Sequence, residues 1–116
     1  METTISARHG SIAPEDHEYI DKKIPKLVHL FDRLTSVQVT VDFQKSEPQL
    51  ELLVSAEHKH DFVAREHHAH VTAAFDSAMS KMESQLRRYK EKIQDHHRGR
   101  PDQSGEVAGF AGGEEV

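Results

Sequence analysis

The fold class predicted by this sequence is α+β: a two-layer β-α-β-β-β-α sandwich with both helices on one face of a four-stranded mixed sheet. Three observations predict it. Residues 36–44 and 49–59 alternate apolar and polar side chains with a period of two, the mark of half-buried strands. Residues 14–33 and 71–97 carry apolar side chains at steps of three and four, the mark of one helix face. The helical and strand stretches each have one apolar side, and the economical way to bury them is helix layer against sheet layer.

Thr3–Arg8 opens the chain as a strand, with Ile5 and Ala7 alternating with Thr4 and Ser6. His9-Gly10-Ser11 is a turn. Pro14 suits the first position of a helix, and Glu15, Asp16 and Glu18 suit the positive end of its dipole. Ile20, Ile24, Leu27, Val28 and Phe31 then form one face, with Lys22, Lys26, His29 and Arg33 on the other. Pro25 falls inside this run, where it removes a hydrogen bond at a cost of ~3 kcal/mol. The apolar spacing continues across it, so the expectation is one bent helix and not two.

Ser36–Gln44 is the clearest strand, with Val37, Val39, Val41 and Phe43 inward. Lys45-Ser46-Glu47-Pro48 reads as a hairpin turn. Gln49–Lys59 repeats the alternation with Leu50, Leu52, Val54 and Ala56 inward. His60-Asp61 turns into a weaker fourth strand, Phe62–Glu66. Right-handed crossover makes the first two strands parallel, and hairpins make the last three antiparallel. The stripe Val71, Phe75, Ala78, Met82, Leu86, Tyr89 and Ile93 marks the long helix that closes the core, with the Tyr89 ring in that core. The domain is expected over 1–97. Residues 98–116, rich in Gly and acid and without periodicity, are expected to be a disordered tail.

With 116 residues and no cysteine, the chain makes one modest domain held by packing alone. It has no apolar run of membrane-spanning length and no signal core, so a cytoplasmic protein is expected. Fifteen Lys and Arg against 20 Asp and Glu give a net charge of −5, which on its sum opposes nucleic-acid binding. The distribution opposes that conclusion. Residues 81–100 hold seven bases and three acids, residues 1–80 hold eight and thirteen, and residues 101–116 hold four acids and no base. Screening confines each field to about 8–10 Å, so a local positive surface survives a negative total.

Both helices carry sequence blocks that resemble a known family. The first reads Tyr19-Ile20-Asp21-Lys22-Lys23-Ile24, then Lys26-Leu27, then Phe31-Asp32-Arg33-Leu34, entering the next strand at Thr35-Ser36-Val37. The long helix reads Ala73-Ala74-Phe75-Asp76, Lys81-Met82-Glu83, Gln85-Leu86-Arg87-Arg88-Tyr89-Lys90 and Lys92. In this order, over Thr3 to His97, they resemble the ribosome hibernation-promoting factors, also called ribosome-associated inhibitors. The chain departs from the family pattern at Ala69-His70-Val71-Thr72 and at Pro25. The resemblance implies a fold similar to a double-stranded-RNA-binding domain and a seat in the decoding channel of the small ribosomal subunit. It implies no catalysis: such a factor acts by occupancy. It also implies a short form, monomeric off the ribosome, lacking the second domain of longer members.

The candidate RNA-binding residues are Lys22, Lys26, Arg33, Lys81, Arg87, Arg88, Lys90 and Lys92. Phosphates call for fixed cations, and Arg adds bidentate geometry. Lys81, Arg88 and Lys92 share one helix flank; with the two helices side by side, the basic stripes would form one groove. The bland alternative is a solvated helix end whose cations complement the dipole. The ten histidines show no ligating spacing, so no metal site is expected. No catalytic residue, cofactor, small-molecule substrate or membrane partner is expected either. The competing function is a protein-interaction module in stress signalling or transcription, using the wet sheet face or the acidic tail.

Overall fold

Alternating apolar residues do what their spacing demands. Val37, Val39 and Val41 on one strand and Leu50, Leu52 and Val54 on the next are buried, while Gln38 between them is exposed and Thr40, Glu51 and Leu53 are half-buried. The structure is a computed structural model and describes residues 1–97, with side chains as far as residue 93. Its elements are β1 (Glu2–Arg8), α1 (Pro14–Lys23), α2 (Pro25–Leu30), β2 (Leu34–Asp42), β3 (Gln49–Ala56), β4 (His60–His67) and α3 (Val71–His97). The sheet order is β1-β2-β3-β4, with β1 parallel to β2 and the other pairs antiparallel. No helix among the described residues is long and apolar enough to cross a membrane.

The expected single bent helix is instead two short helices meeting at Ile24. Pro25 has no N–H to give the carbonyl of Asp21, so the ladder is interrupted there. Ile24 keeps helical angles (φ −55°, ψ −38°) and still donates to Ile20 O at 3.1 Å, while Leu27 reaches back only three residues to Ile24 O at 3.0 Å. The shared apolar face survives the break: Ile20, Ile24, Leu27 and Phe31 are all buried. α2 stops at Leu30, because Phe31 turns to extended geometry (φ −147°, ψ 108°).

Two local devices set the strand boundaries. Leu34 is paired with Ala56 but Ser36 with Ser55, so Thr35 is a bulge. The bulge lets Leu34 and Val37 both face inward across a three-residue step that plain alternation forbids. β2 accordingly starts at Leu34, before the expected Ser36, and ends at Asp42; Phe43 is half-buried and its Cβ lies against Gly10. The turn into β4 falls at Glu57–Lys59, earlier than the expected His60-Asp61. His58 (φ 68°) and Lys59 (φ 61°) take left-handed angles there, and β4 runs longer as a result.

The chain divides into two compact units, Met1–Leu86 and the part beginning at Arg87. The first has one core, made by the inward sheet face, the α1–α2 stripe and Val71, Ala74, Phe75, Ala78, Met79, Met82 and Leu86 of α3. Each fully buried side chain of Leu or Phe size contributes ~1.5–3 kcal/mol. In the second unit Tyr89 and Ile93 are half-buried, so the expected core position of Tyr89 is corrected: the buried stripe ends at Leu86. The tail beyond residue 97, expected to be disordered, lies outside the described residues.

Candidate nucleic-acid interface

Tyr19, one turn ahead of Lys23 on α1, joins that helix to α3. Its hydroxyl donates to both carboxylate oxygens of Asp76, at 2.8 and 2.7 Å, and its ring meets Phe75 edge-on at 6.3 Å. The carboxylate that accepts this bond, together with partial desolvation and its negative charge, raises the Tyr19 phenol above its ordinary pKa. Lys23 lies over the same ring, 5.0 Å from its centre, in cation–π geometry.

Below this strut a shallow groove of about 240 Å³ separates the helices. Lys23 and Lys26 line one side, and Asp76, Met79, Ser80 and Glu83 of α3 line the other. The α3 wall is therefore acidic where a second basic stripe was expected. The reason is helical geometry. At about 100° per residue, Lys81 is ~140° round the helix from Asp76. It faces β4 instead, where it forms an ion pair with Glu66. Gln85 on the same flank donates to the carbonyl of Val63 at 2.9 Å. Within the first unit the structure does not bring Lys81 to Lys26.

The other candidates are placed as follows. Lys22 is exposed and pairs with Glu18 one turn earlier at 3.7 Å, an ion pair of little net energy. Arg33 is not on the helix face with Lys22 and Lys26, because α2 has already ended; it sits in the turn before β2, where its carbonyl accepts the Glu57 N–H at 3.0 Å. Arg87, Arg88, Lys90 and Lys92 are all exposed on the last turns of α3. Among the described residues no ion pair involves Lys26, Arg33, Arg87, Arg88 or Lys92. Lys22 and Lys81 are thus already paired with carboxylates of their own chain, and the α3 end holds the densest run of exposed cations.

Sequence reasoning missed Lys23 and the reach of Asp76. Lys23 carried one signal, its four-residue step from Tyr19. Asp76 carried no signal in the sequence of its partner, Tyr19, which lies on another helix. Elsewhere, His9 Nδ1 lies 3.0 Å from Asp42 Oδ1 and His67 Nδ1 lies 2.9 Å from Glu47 Oε1. The Gln44 N–H, first, and the His9 bond, second, hold the Asp42 carboxyl below its usual range. Among the described residues no three His, Asp or Glu side chains converge on a point suited to a metal ion.

Known proteins share both the sequence and the architecture. The family model described as "Sigma 54 modulation protein / S30EA ribosomal protein" matches residues 3–94. A ribosome hibernation promoting factor of Azotobacter vinelandii is 31% identical over 99 residues, covering 85% of this chain and 92% of the relative. One from Rhizobium meliloti is 32% identical over 109 residues, covering 93% of this chain and 57% of the relative. In fold, the chain is similar to a ribosomal subunit interface protein from Coxiella burnetii, with a TM-score of 0.68 and 20% identity over 78% of this chain and 99% of that one. It is also similar to the N-terminal domain of Protein Y from Thermus thermophilus, with a TM-score of 0.65 and 22% identity over 74% of this chain and 94% of that one. With the two-layer architecture in place and the family model spanning nearly every described element, the chain belongs to the Sigma 54 modulation protein / S30EA ribosomal protein family, that of the ribosome hibernation promoting factors.

Proposed function

We propose that this chain is a ribosome hibernation factor that occupies the decoding channel of the small ribosomal subunit and silences translation by excluding messenger and transfer RNA. The observation that carries the reading is the exposed end of α3. Arg87, Arg88 and Lys92 reach solvent without a carboxylate partner among the described residues, in a chain whose net charge is −5. A run of cations left unneutralised in an acidic protein is suited to a polyanion. Relatives named for ribosome hibernation supply the partner class.

The mechanism is electrostatic and steric, without a catalytic step. Arg87, Arg88, Lys90 and Lys92 neutralise rRNA phosphates, with Lys26 and Arg33 as additional contacts. Lys22 exchanges Glu18 for a phosphate; an exposed pair of this kind is worth ~0–1 kcal/mol, so that exchange costs little. Lys81 exchanges the half-buried Glu66 for a phosphate. One copy binds per subunit, in the cytoplasm. If Lys26, Arg87, Arg88, Lys90 and Lys92 each hold one phosphate, log K falls with log salt at a slope of about −3.5 to −4.5.

The test is co-sedimentation with purified small subunits across a salt series, with and without prebound messenger and initiator tRNA. The expected result is steep salt dependence and mutual exclusion. Salt-insensitive binding, or stable binding alongside both RNAs, would refute the reading.

A further inference from the structure

The fold treats the two outer edges of the sheet differently. On β4 the Gln85 side chain occupies the carbonyl of Val63, and Lys81 ties α3 to Glu66. Nothing comparable is found on β1 among the described residues. Its sequence between the ends, Thr3 to Ala7, also has none of the Lys, Pro or bulge devices that blunt an edge strand.

The direction of the β1 backbone follows from one bond. Arg8 is paired with Asp42, and the Arg8 carbonyl accepts the Phe43 N–H at 2.9 Å. In a parallel ladder, a residue that faces its neighbour with C=O also faces it with N–H, and every second residue does so. Glu2, Thr4, Ser6 and Arg8 therefore bond to β2. Thr3, Ile5 and Ala7 present both backbone groups to the open edge.

We propose that this edge is a self-association surface, on which a second copy of the chain adds its own β1 antiparallel, in a register centred on Ile5. In that register Ile5 faces its symmetry mate and Thr3 faces Ala7. These are the residues whose N–H and C=O point outward, so every such group finds a partner. The intervening pairs are Glu2 with Arg8 and Thr4 with Ser6. They fall at the non-hydrogen-bonded positions, where Cα atoms approach to about 4.5 Å and side chains are closest. Glu2 and Arg8 lie on the sheet face away from the helices, since their β2 partners are Ser36 and Asp42. Among the described residues neither is in a close ion pair, although the Arg8 charge acts on its cross-strand neighbour Asp42. The two-fold axis sets opposite charges against each other at both ends of the strand pair. Moving the centre to Thr3 or Ala7 loses this match. Ile5, half-buried and paired with the core residue Val39, gains cover from its mate on the helix side.

One strand pair is a small interface, so the association is weak and concentration-dependent. It leaves a single copy to act at the dilute concentrations of ribosome binding. The test is sedimentation equilibrium of the whole chain over a wide concentration range, with Glu2→Arg and Arg8→Glu made separately and together. Each reversal changes both ends of a symmetric pair. The expected result is a weak wild-type dimer, at least tenfold weaker in either single variant and restored in the double variant. Mixing the two single variants should give heterodimers while each alone stays monomeric. Thermal midpoints of all variants show that the exposed substitutions leave the fold intact. A folded wild type that remains monomeric throughout, or a dimer indifferent to the reversals, would overturn the proposal.

Discussion

His58→Gly should make this protein more stable although it removes a side chain and adds no contact. His58 and Lys59 sit at φ 68° and 61°, in the left-handed region, inside the turn that joins β3 to β4. Left-handed angles bring Cβ against the following carbonyl oxygen, at ~1–2 kcal/mol per residue. Glycine has no Cβ and avoids that term. It gives back ~0.5–1 kcal/mol through its more flexible unfolded chain. The His58 side chain is exposed, with no hydrogen bond or ion pair among the described residues, so nothing else is lost. The net gain is about 0.5–1 kcal/mol, which for a domain of this size raises Tm by roughly 2–8 °C. His58→Ala is the control, because it removes the imidazole but keeps the Cβ. Urea unfolding monitored by circular dichroism should show a higher midpoint for Gly than for Ala, with an unchanged slope. A Gly variant no more stable than the Ala variant would refute the assignment of strain to this turn.

Further outcomes follow from other sites. Gly10→Ala should cost ~1–3 kcal/mol, because its Cβ would lie 2.9 Å from Phe43 Cδ2; chemical denaturation measures the loss, and in a Phe43→Ala background, which removes Cγ and Cδ2, the same substitution should cost less. Ultraviolet titration should find the Tyr19 phenol ionising above its ordinary value, and Asp76→Asn should bring it down. Since the folded value is raised, this contribution is full below the unfolded pKa and is lost as pH climbs through the folded one. The Asp42 carboxyl is held low, so its contribution is present above the ordinary carboxylate value and lost as pH falls through the lower folded value. Acid unfolding of Asp42→Asn should therefore show a flatter pH dependence than the wild type below that ordinary value.

Period and composition carried the layers. Val37–Val41 alternates without exception and Leu50–Val54 does so but for Leu53, and the stripe from Val71 to Leu86 needs no tertiary information to be recognised as one buried helix face. The boundaries depended on features with no local signature. Nothing at His58-Lys59 announces left-handed backbone, since neither is Gly or Asn, and the bulge at Thr35 exists only relative to β3. Pro25 did carry a signal. Its effect was underestimated because the apolar spacing runs on while the hydrogen-bond ladder stops. The same division holds for the candidate interface. The exposed cations at the end of α3 were legible as a charge run. That Lys81 turns toward Glu66, and that the groove beside Lys26 is walled by Asp76 and Glu83, depends on contacts between elements far apart in sequence.

The central claim is that cations gathered on the helices, Arg87 and Arg88 foremost, hold this acidic chain on a polyanion. The most direct measurement is small-subunit binding of the Arg87→Glu, Arg88→Glu double variant at fixed low salt, with its thermal midpoint recorded beside the wild type. Both side chains are exposed and outside any ion pair among the described residues, so the midpoint should barely move while binding is abolished. Wild-type affinity in a folded double variant would contradict it.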